Sequence, residues 1–273
     1  MSTYGNVNIS TINGGAIGTK NAIINGNFGI NQRGVSGTVS LTAGAYGHDR
    51  WKAGASGCTY TFATSENVTT LTISSGSLIQ VVEGLNLQTG DYTLSWEGTA
   101  QGKIGAGSYG NSGVTGSVTG GTNLNIEFGT GTLRLVQLEK GSVATPFEFR
   151  SYGQELALCQ RYFEKSFSQA TAPAQNVGVN TGEFQYTANR TGIDSNWSNS
   201  IKFAVVKRAN PSITFFNPSA ANSQIRNFVR DADLSSSAPN TLNDGGLSFY
   251  GLGSAGTAVG DVLGVHWTAS AEL

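Results

Sequence analysis

Three observations predict an all-β fold: two antiparallel β-sandwich domains of jelly-roll type in series, behind an extended N-terminal arm. Glycine supplies 38 of the 273 residues, about twice its usual share. Charged residues make up 12% of the chain against a typical ~25%, and there is one Met, so helix formers are thin. Thr, Ser, Val and Asn fill the space, and these suit short strands and tight turns. A hydrophobic content of 38% with 10% aromatics is too high for a disordered chain. The length of 273 residues allows one large domain or two ordinary ones, long enough for a core in each.

Residues 1–20 read as an attachment arm. Val7-Asn8-Ile9-Ser10-Thr11-Ile12 alternates like a strand but meets Asn13-Gly14-Gly15 before any partner of its own. A frayed terminus and a strand donated to a neighbouring subunit both fit this pattern; Tyr4, Val7 and Ile9 favour the donated strand. Residues 21–150 form the first sandwich. Tyr92, Leu94 and Trp96 fall on one face of a strand and Thr93, Ser95 and Glu97 on the other. The stretches 123–128 and 132–138 repeat that design. Thr89-Gly90-Asp91, Gly120-Gly121-Thr122 and Gly129-Thr130-Gly131 mark the turns. Many short strands with one buried face each need sheet-on-sheet packing. Residues 98–121 carry few apolar side chains and read as a long surface loop or a weak edge hairpin.

Residues 151–273 form the second sandwich. Ser151-Tyr152-Gly153-Gln154 fits a capping box opening a short helix to Cys159, with Leu156 and Cys159 on one face. Strands are predicted over 161–166, 182–186, 201–206, 212–216, 224–228, 247–250 and 262–268. Pro211 and Pro218 bracket one of them, where a missing donor breaks no ladder.

The composition also bounds function. A net charge of −1, with Lys207-Arg208 as the longest basic cluster, argues against nucleic acid. No apolar run approaches the ~20 residues of a membrane span, and residues 1–6 show no secretory signal, so membrane insertion is not expected. Cys58 and Cys159 fall in different predicted domains and read as small buried hydrophobes rather than a disulfide. The two histidines, His48 and His266, are likewise separate, which leaves little from which to build a zinc site or a catalytic triad. No G-x-S-x-G elbow occurs. Asp49, Glu83, Glu97, Glu127 and Glu139 are available for glycoside hydrolysis, but nothing in the spacing pairs them. An enzyme is not expected. No cofactor is expected either; a structural Ca²⁺ is left open, because oxygen ligands are plentiful but show no contiguous ligand spacing.

Three blocks carry a resemblance. The stretch 21–34, Asn-Ala-Ile-Ile-Asn-Gly-Asn-Phe-Gly-Ile-Asn-Gln-Arg-Gly, followed by His48-Asp49-Arg50-Trp51, resembles the opening of carbohydrate-binding-module-like jelly rolls in bacteriophage tail proteins. The stretch 135–148 resembles their closing strand. Leu156-Ala157-Leu158-Cys159-Gln160-Arg161-Tyr162-Phe163 and the terminal 266–273 are similar to the C-terminal domain that follows in tail-fibre and adhesin proteins. The resemblance implies a virion structural protein assembled in the host cytoplasm, a homotrimeric tail-fibre adhesin that binds a bacterial surface polysaccharide without catalysis. Residues 1–20 would then join other tail or baseplate proteins. A non-binding adaptor or decoration protein of tail, baseplate or head is the alternative, and a glycan depolymerase the next. Bottom-up, Asn25-Gly26 suits a turn with positive φ, and Asp49-Arg50-Trp51 a buried or half-buried indole beneath an Asp–Arg pair.

The resemblance places no ligand residue, so the candidates come from side-chain chemistry. Sugars stack on Trp and Tyr while amides and carboxylates bond their hydroxyls. Arg190, Asp194, Asn196 and Trp197 cluster in the turn-rich stretch 188–197 and form the first candidate glycan site. Tyr109, within the Gly-rich stretch, is the second. A cap on the core is the competing reading of Trp197, which precedes a strand, and it is favoured about two to one over ligand contact.

Overall fold

A computed structural model describes residues 11–12, 15–16, 20–178 and 181–273. The fold is all-β, in antiparallel sheets with one short helix. Contacts gather the chain into two compact units. One runs through Gly29 and takes in Gly37–Tyr46 and Trp51–Ser151; the other takes in Ile30–Ser36, Gly47–Arg50 and Tyr152–Leu273.

In the first unit, β1 (Thr11–Ile12) and β2 (Gly15–Ala16) pair with each other. The partner that the sequence lacked before Gly14 thus comes immediately after it. Residues 1–10, with Tyr4, Val7 and Ile9, lie outside the described residues. Then come β3 (Val39–Leu41), β4 (Trp51–Ser65), β5 (Val68–Val82) and a single 3₁₀ turn at Gly84–Asn86. They are followed by β6 (Gly90–Glu97), β7 (Gly102–Ile104), β8 (Val114–Val118), β9 (Leu124–Phe128) and β10 (Gly131–Lys140). Strands β3, β4, β5, β9 and β7 pair in that order, and β8 pairs β6. Strand β10 serves both groups. Its first three residues pair β5; then the register shifts, with Leu135 at a φ of 51°, and the remainder pairs β6. The two groups face each other across buried aromatics. Trp96 of β6 meets Phe128 of β9 edge-on at 5.0 Å, and Trp51 of β4 lies 6.0 Å from the same ring.

The stretch 98–121 is neither one loop nor one hairpin. It holds β7 and β8, which join different neighbours, and buries Ala100 and Ile104. Glycine explains how so lean a segment enters the core. A Cβ on Gly102 would sit 2.6 Å from the Phe128 ring and 3.0 Å from Trp96, so its absence lets both rings close over the strand. At Asn25-Gly26 the positive φ falls on Asn25, at 58°. Gly26 accepts from the Val136 N–H at 2.9 Å, and any Cβ there would collide with the Val136 carbonyl oxygen.

The second unit opens with α1 (Tyr152–Gln160) and β11 (Phe163–Lys165). Glu155 and Cys159, four apart, form the buried face of the helix, and Leu156 is half-buried. Strands β12 (Phe184–Thr187), β13 (Ser195–Trp197), β14 (Ile201–Lys202), β15 (Ser212–Phe216) and β16 (Arg226–Asn227) follow. Then come β17 (Ala232–Asp233), β18 (Ser236–Asn243), β19 (Gly246–Leu252) and β20 (Val262–Ser270). Strand β20 is the hub of a sheet with β11, β12, β15, β16 and β17; β19 is the hub of a sheet with β13, β14 and β18. The sheets pack through Phe249 of β19, which lies 5.1 Å from Phe215 of β15 and 5.7 Å from Tyr186 of β12. Ile225, Leu234, Leu263, Val265 and Trp267 complete that core.

The strand predicted over 201–206 stops at Lys202. The chain turns inward there because Lys207 is buried against Glu164, whose carboxylate also accepts from the Ala204 N–H. The short pieces 30–36 and 47–50 belong to this unit for an electrostatic reason. Arg50 lies 3.5 Å over the Tyr162 ring and pairs with Glu272; Arg33 lies 3.9 Å over Phe163 and 3.1 Å from Glu272. Asp49 accepts from the Gln32 backbone and side chain at 2.6 and 2.9 Å and faces Arg33 at 3.5 Å. Arg33 thus faces Asp49 and Glu272 pairs with Arg50, while the buried Trp51 indole donates to the Asn25 carbonyl at 3.0 Å. Cys58 and Cys159 are free and buried; burial pushes the Cys58 thiol up to about 11 and Cys159 well above the ordinary range. No helix among the described residues is long and apolar enough to cross a membrane.

Candidate functional site

The stretch 188–197 is a turn that ends in a strand. Ser195, Asn196 and Trp197 make β13 and pair with Leu252, Gly251 and Tyr250 of β19. Alternation then sorts their side chains. Asn196 points inward and is fully buried. Its Oδ1 accepts from the N–H groups of Asn189 and Arg190 at 3.0 and 2.9 Å, and its Nδ2 donates to the Asp194 carbonyl at 3.1 Å. Both ends of the amide are spent on backbone, so Asn196 shapes the turn and cannot reach a ligand. That corrects its place among the candidate ligand residues. A buried amide closing a backbone loop is a common use of Asn, and the Asx chemistry around Asp194–Asn196 is the sequence signal for it.

Trp197 points outward and is 40% exposed. Its ring lies 4.9 Å from Tyr250, tilted by 36°, so the two form one aromatic step on the outer face of the sheet. The sequence placed Tyr250 in a strand over 247–250 but not beside Trp197, since pairing across β13 and β19 is a long-range fact. Ala238 of β18 pairs Tyr250 from the other side, and its small side chain leaves the step open there. Arg190 and Asp194 are exposed on the turn that Asn196 holds. Of the first candidate set, then, Trp197, Arg190 and Asp194 stand at the surface of one turn and Asn196 lies beneath them.

The same outer face continues down β19. Ser248 bonds Thr241 of β18 at 2.7 Å. Beyond it, Gly246 pairs with Lys202 on one side and Asn243 on the other. A Cβ on Gly246 would collide with the Ile201 carbonyl oxygen, so the close approach of β14 requires glycine here, beside an open hollow. That open hollow, of about 360 Å³, is lined by Ser200, Lys202, Thr241, Asn243 and Ser248 among others.

Tyr109 belongs to the first unit, apart from that set, and is 41% exposed. Its hydroxyl bonds the Glu127 carboxylate, and Lys103 sits 4.8 Å over its ring and 3.0 Å from Glu127. Partial burial and the Glu127 bond push the phenol up to about 12. Partial burial works to raise Glu127, but bonds from Ser77, Lys103 and Tyr109 outweigh it and hold the carboxyl below its usual range. One face of the Tyr109 ring is therefore taken by an ammonium, and the hydroxyl is engaged. A sugar has less to stack on here than at Trp197.

Both histidines are buried. His48 is pushed down to about 4 by burial. His266 stacks on Phe167 at 4.0 Å, bonds Thr181 and Gly178, and is lowered by burial. Among the described residues no three His, Cys, Asp or Glu side chains group as metal ligands. Of the carboxylates in the first unit, Glu83 and Glu139 are buried, Glu97 pairs Arg134 and Glu127 pairs Lys103. No protein-family model matches the chain, and no curated protein matches its sequence.

Proposed function

We propose that the protein is a glycan-binding adhesin of a phage virion, of tail-fibre type, and that it binds sugar on the Trp197–Tyr250 step of the second unit. The outward pair of rings, 4.9 Å apart on a rigid strand pair, carries the reading. Strands hold aromatic platforms more firmly than loops do, and a half-exposed indole offers the flat apolar face that a pyranose ring stacks on. Arg190 and Asp194, on the adjoining turn, supply a donor and an acceptor for hydroxyls. The placement in a virion, the homotrimer and the attachment through residues 1–20 rest on the resemblance of the three sequence blocks.

The test is a bacterial polysaccharide array with the full chain and its Trp197→Ala variant. Binding by the parent, with a loss of at least tenfold in the variant and an unchanged melting temperature, is the expected outcome. Equal binding by the two would remove the step from the site. Light scattering should give three chains per particle.

A further inference from the structure

The hollow beside β14 shares a face with the aromatic step. Tyr250 and Gly246 lie four residues apart on β19, on the same side of the strand. At ~3.3 Å per residue the step and the centre of the hollow are about 13 Å apart. A single extended ligand can therefore occupy both.

The hollow offers two donors, Lys202 and Asn243, and one hydroxyl, Ser200, that can donate or accept. Lys202 is exposed at its rim and has no ion pair among the described residues. Asn243 has its Oδ1 occupied by the Gly245 and Gly246 N–H groups, at 2.8 and 3.0 Å, which leaves its NH₂ to face outward chemistry. Thr241 and Ser248 satisfy each other. No carboxylate lines the hollow. An ammonium and an amide NH₂, with no acid in the lining itself and Asp244 exposed on the adjoining turn, favour an acceptor that carries charge.

We infer that the hollow is a subsite for a carboxylate-bearing sugar, so that the site takes an acidic oligosaccharide: a neutral ring on Trp197–Tyr250 and a uronate-type ring at Lys202 and Asn243. This rests on the glycan-binding reading of the aromatic step. One lysine per bound segment suits a repeat with one acid, and does not suit a chain charged at every ring.

The experiment takes each polysaccharide bound by the full chain on the array and titrates its oligosaccharide calorimetrically, in native and carboxyl-reduced form. Parent, Lys202→Gln and Trp197→Ala proteins are compared at low and high salt. Native acidic glycans should be the ones bound. Carboxyl reduction and Lys202→Gln should each weaken binding about tenfold, with little further loss when combined, and Lys202→Gln should erase the salt dependence. Trp197→Ala should weaken both forms alike. Binding that is indifferent to carboxyl reduction and to Lys202→Gln, yet lost in Trp197→Ala, overturns the acidic subsite and leaves the aromatic step standing. Indifference to Trp197→Ala, or no glycan bound at all, overturns both.

Discussion

Glu272 receives two guanidinium groups, Arg33 and Arg50, each placed over an aromatic ring of the segment 162–163. Removing the carboxylate would leave two cations with too little countercharge inside the protein, where desolvation is costly. Glu272→Ala should therefore destabilise by roughly 3–5 kcal/mol, as measured by urea unfolding. Glu272→Gln keeps the shape and should recover only part of that. Asn196 invites a different expectation. Asn196→Ala strips three hydrogen bonds from one turn, at about 1 kcal/mol each. On the proposed glycan-binding reading it should also weaken that binding, although the buried side chain would not meet the ligand, because the turn that carries Arg190 and Asp194 would slacken. Residue identity alone could not separate Asn196 from Trp197. Both types are frequent in sugar sites, and only the strand alternation, with the β19 pairing that fixes it, sends one inward and the other out.

Strands with strict alternation were legible: residues 92–97, 212–216 and 262–268 lie within strands of the structure, and 123–128 overlaps a strand that begins one residue later, at Leu124. Those that failed are instructive. Strand β18 spans Ser236–Asn243, includes Pro239 and has little apolar content, so it offered no pattern; it exists because β19 supplies its ladder, with a register shift after Pro239. Strands β7 and β8 hid in a Gly-rich stretch, because their burial depends on rings from other strands filling the space a side chain would take. The turn at Asn25-Gly26 was visible as a dipeptide, but its role was not. Gly26 is where a loop backbone touches the Val136 backbone, so Gly26→Ala should cost roughly 1–3 kcal/mol as an overpacked contact. A thermal melt would show it, and a melting point within a degree of the parent's would contradict it.

Acid should find the second unit first. His48 and His266 both belong to it, and both are held neutral by burial, with folded pKa values below the unfolded 6.5. Their contribution is complete above about pH 6.5 and is withdrawn as the pH falls towards the folded values. For His48, lowered to about 4, the full loss is roughly 3 kcal/mol. Asp261, lowered chiefly by its bond from Arg230, adds to the same trend at still lower pH. Asp49, raised by desolvation, opposes it. Hydrogen exchange between pH 7 and 4.5 should loosen residues 152–273 before 51–151; the reverse order would refute this. The all-β class was readable from composition because glycine and β-branched residues leave helices little material. The grouping of 30–36 and 47–50 with distant residues was not, since it is decided by arginines finding one terminal carboxylate. Strand β10 has a further consequence. Because a single strand zips first to β5 and then to β6, neither half of that unit can melt while the other survives, and denaturant should meet one transition there, with no half-open species for a protease to trap.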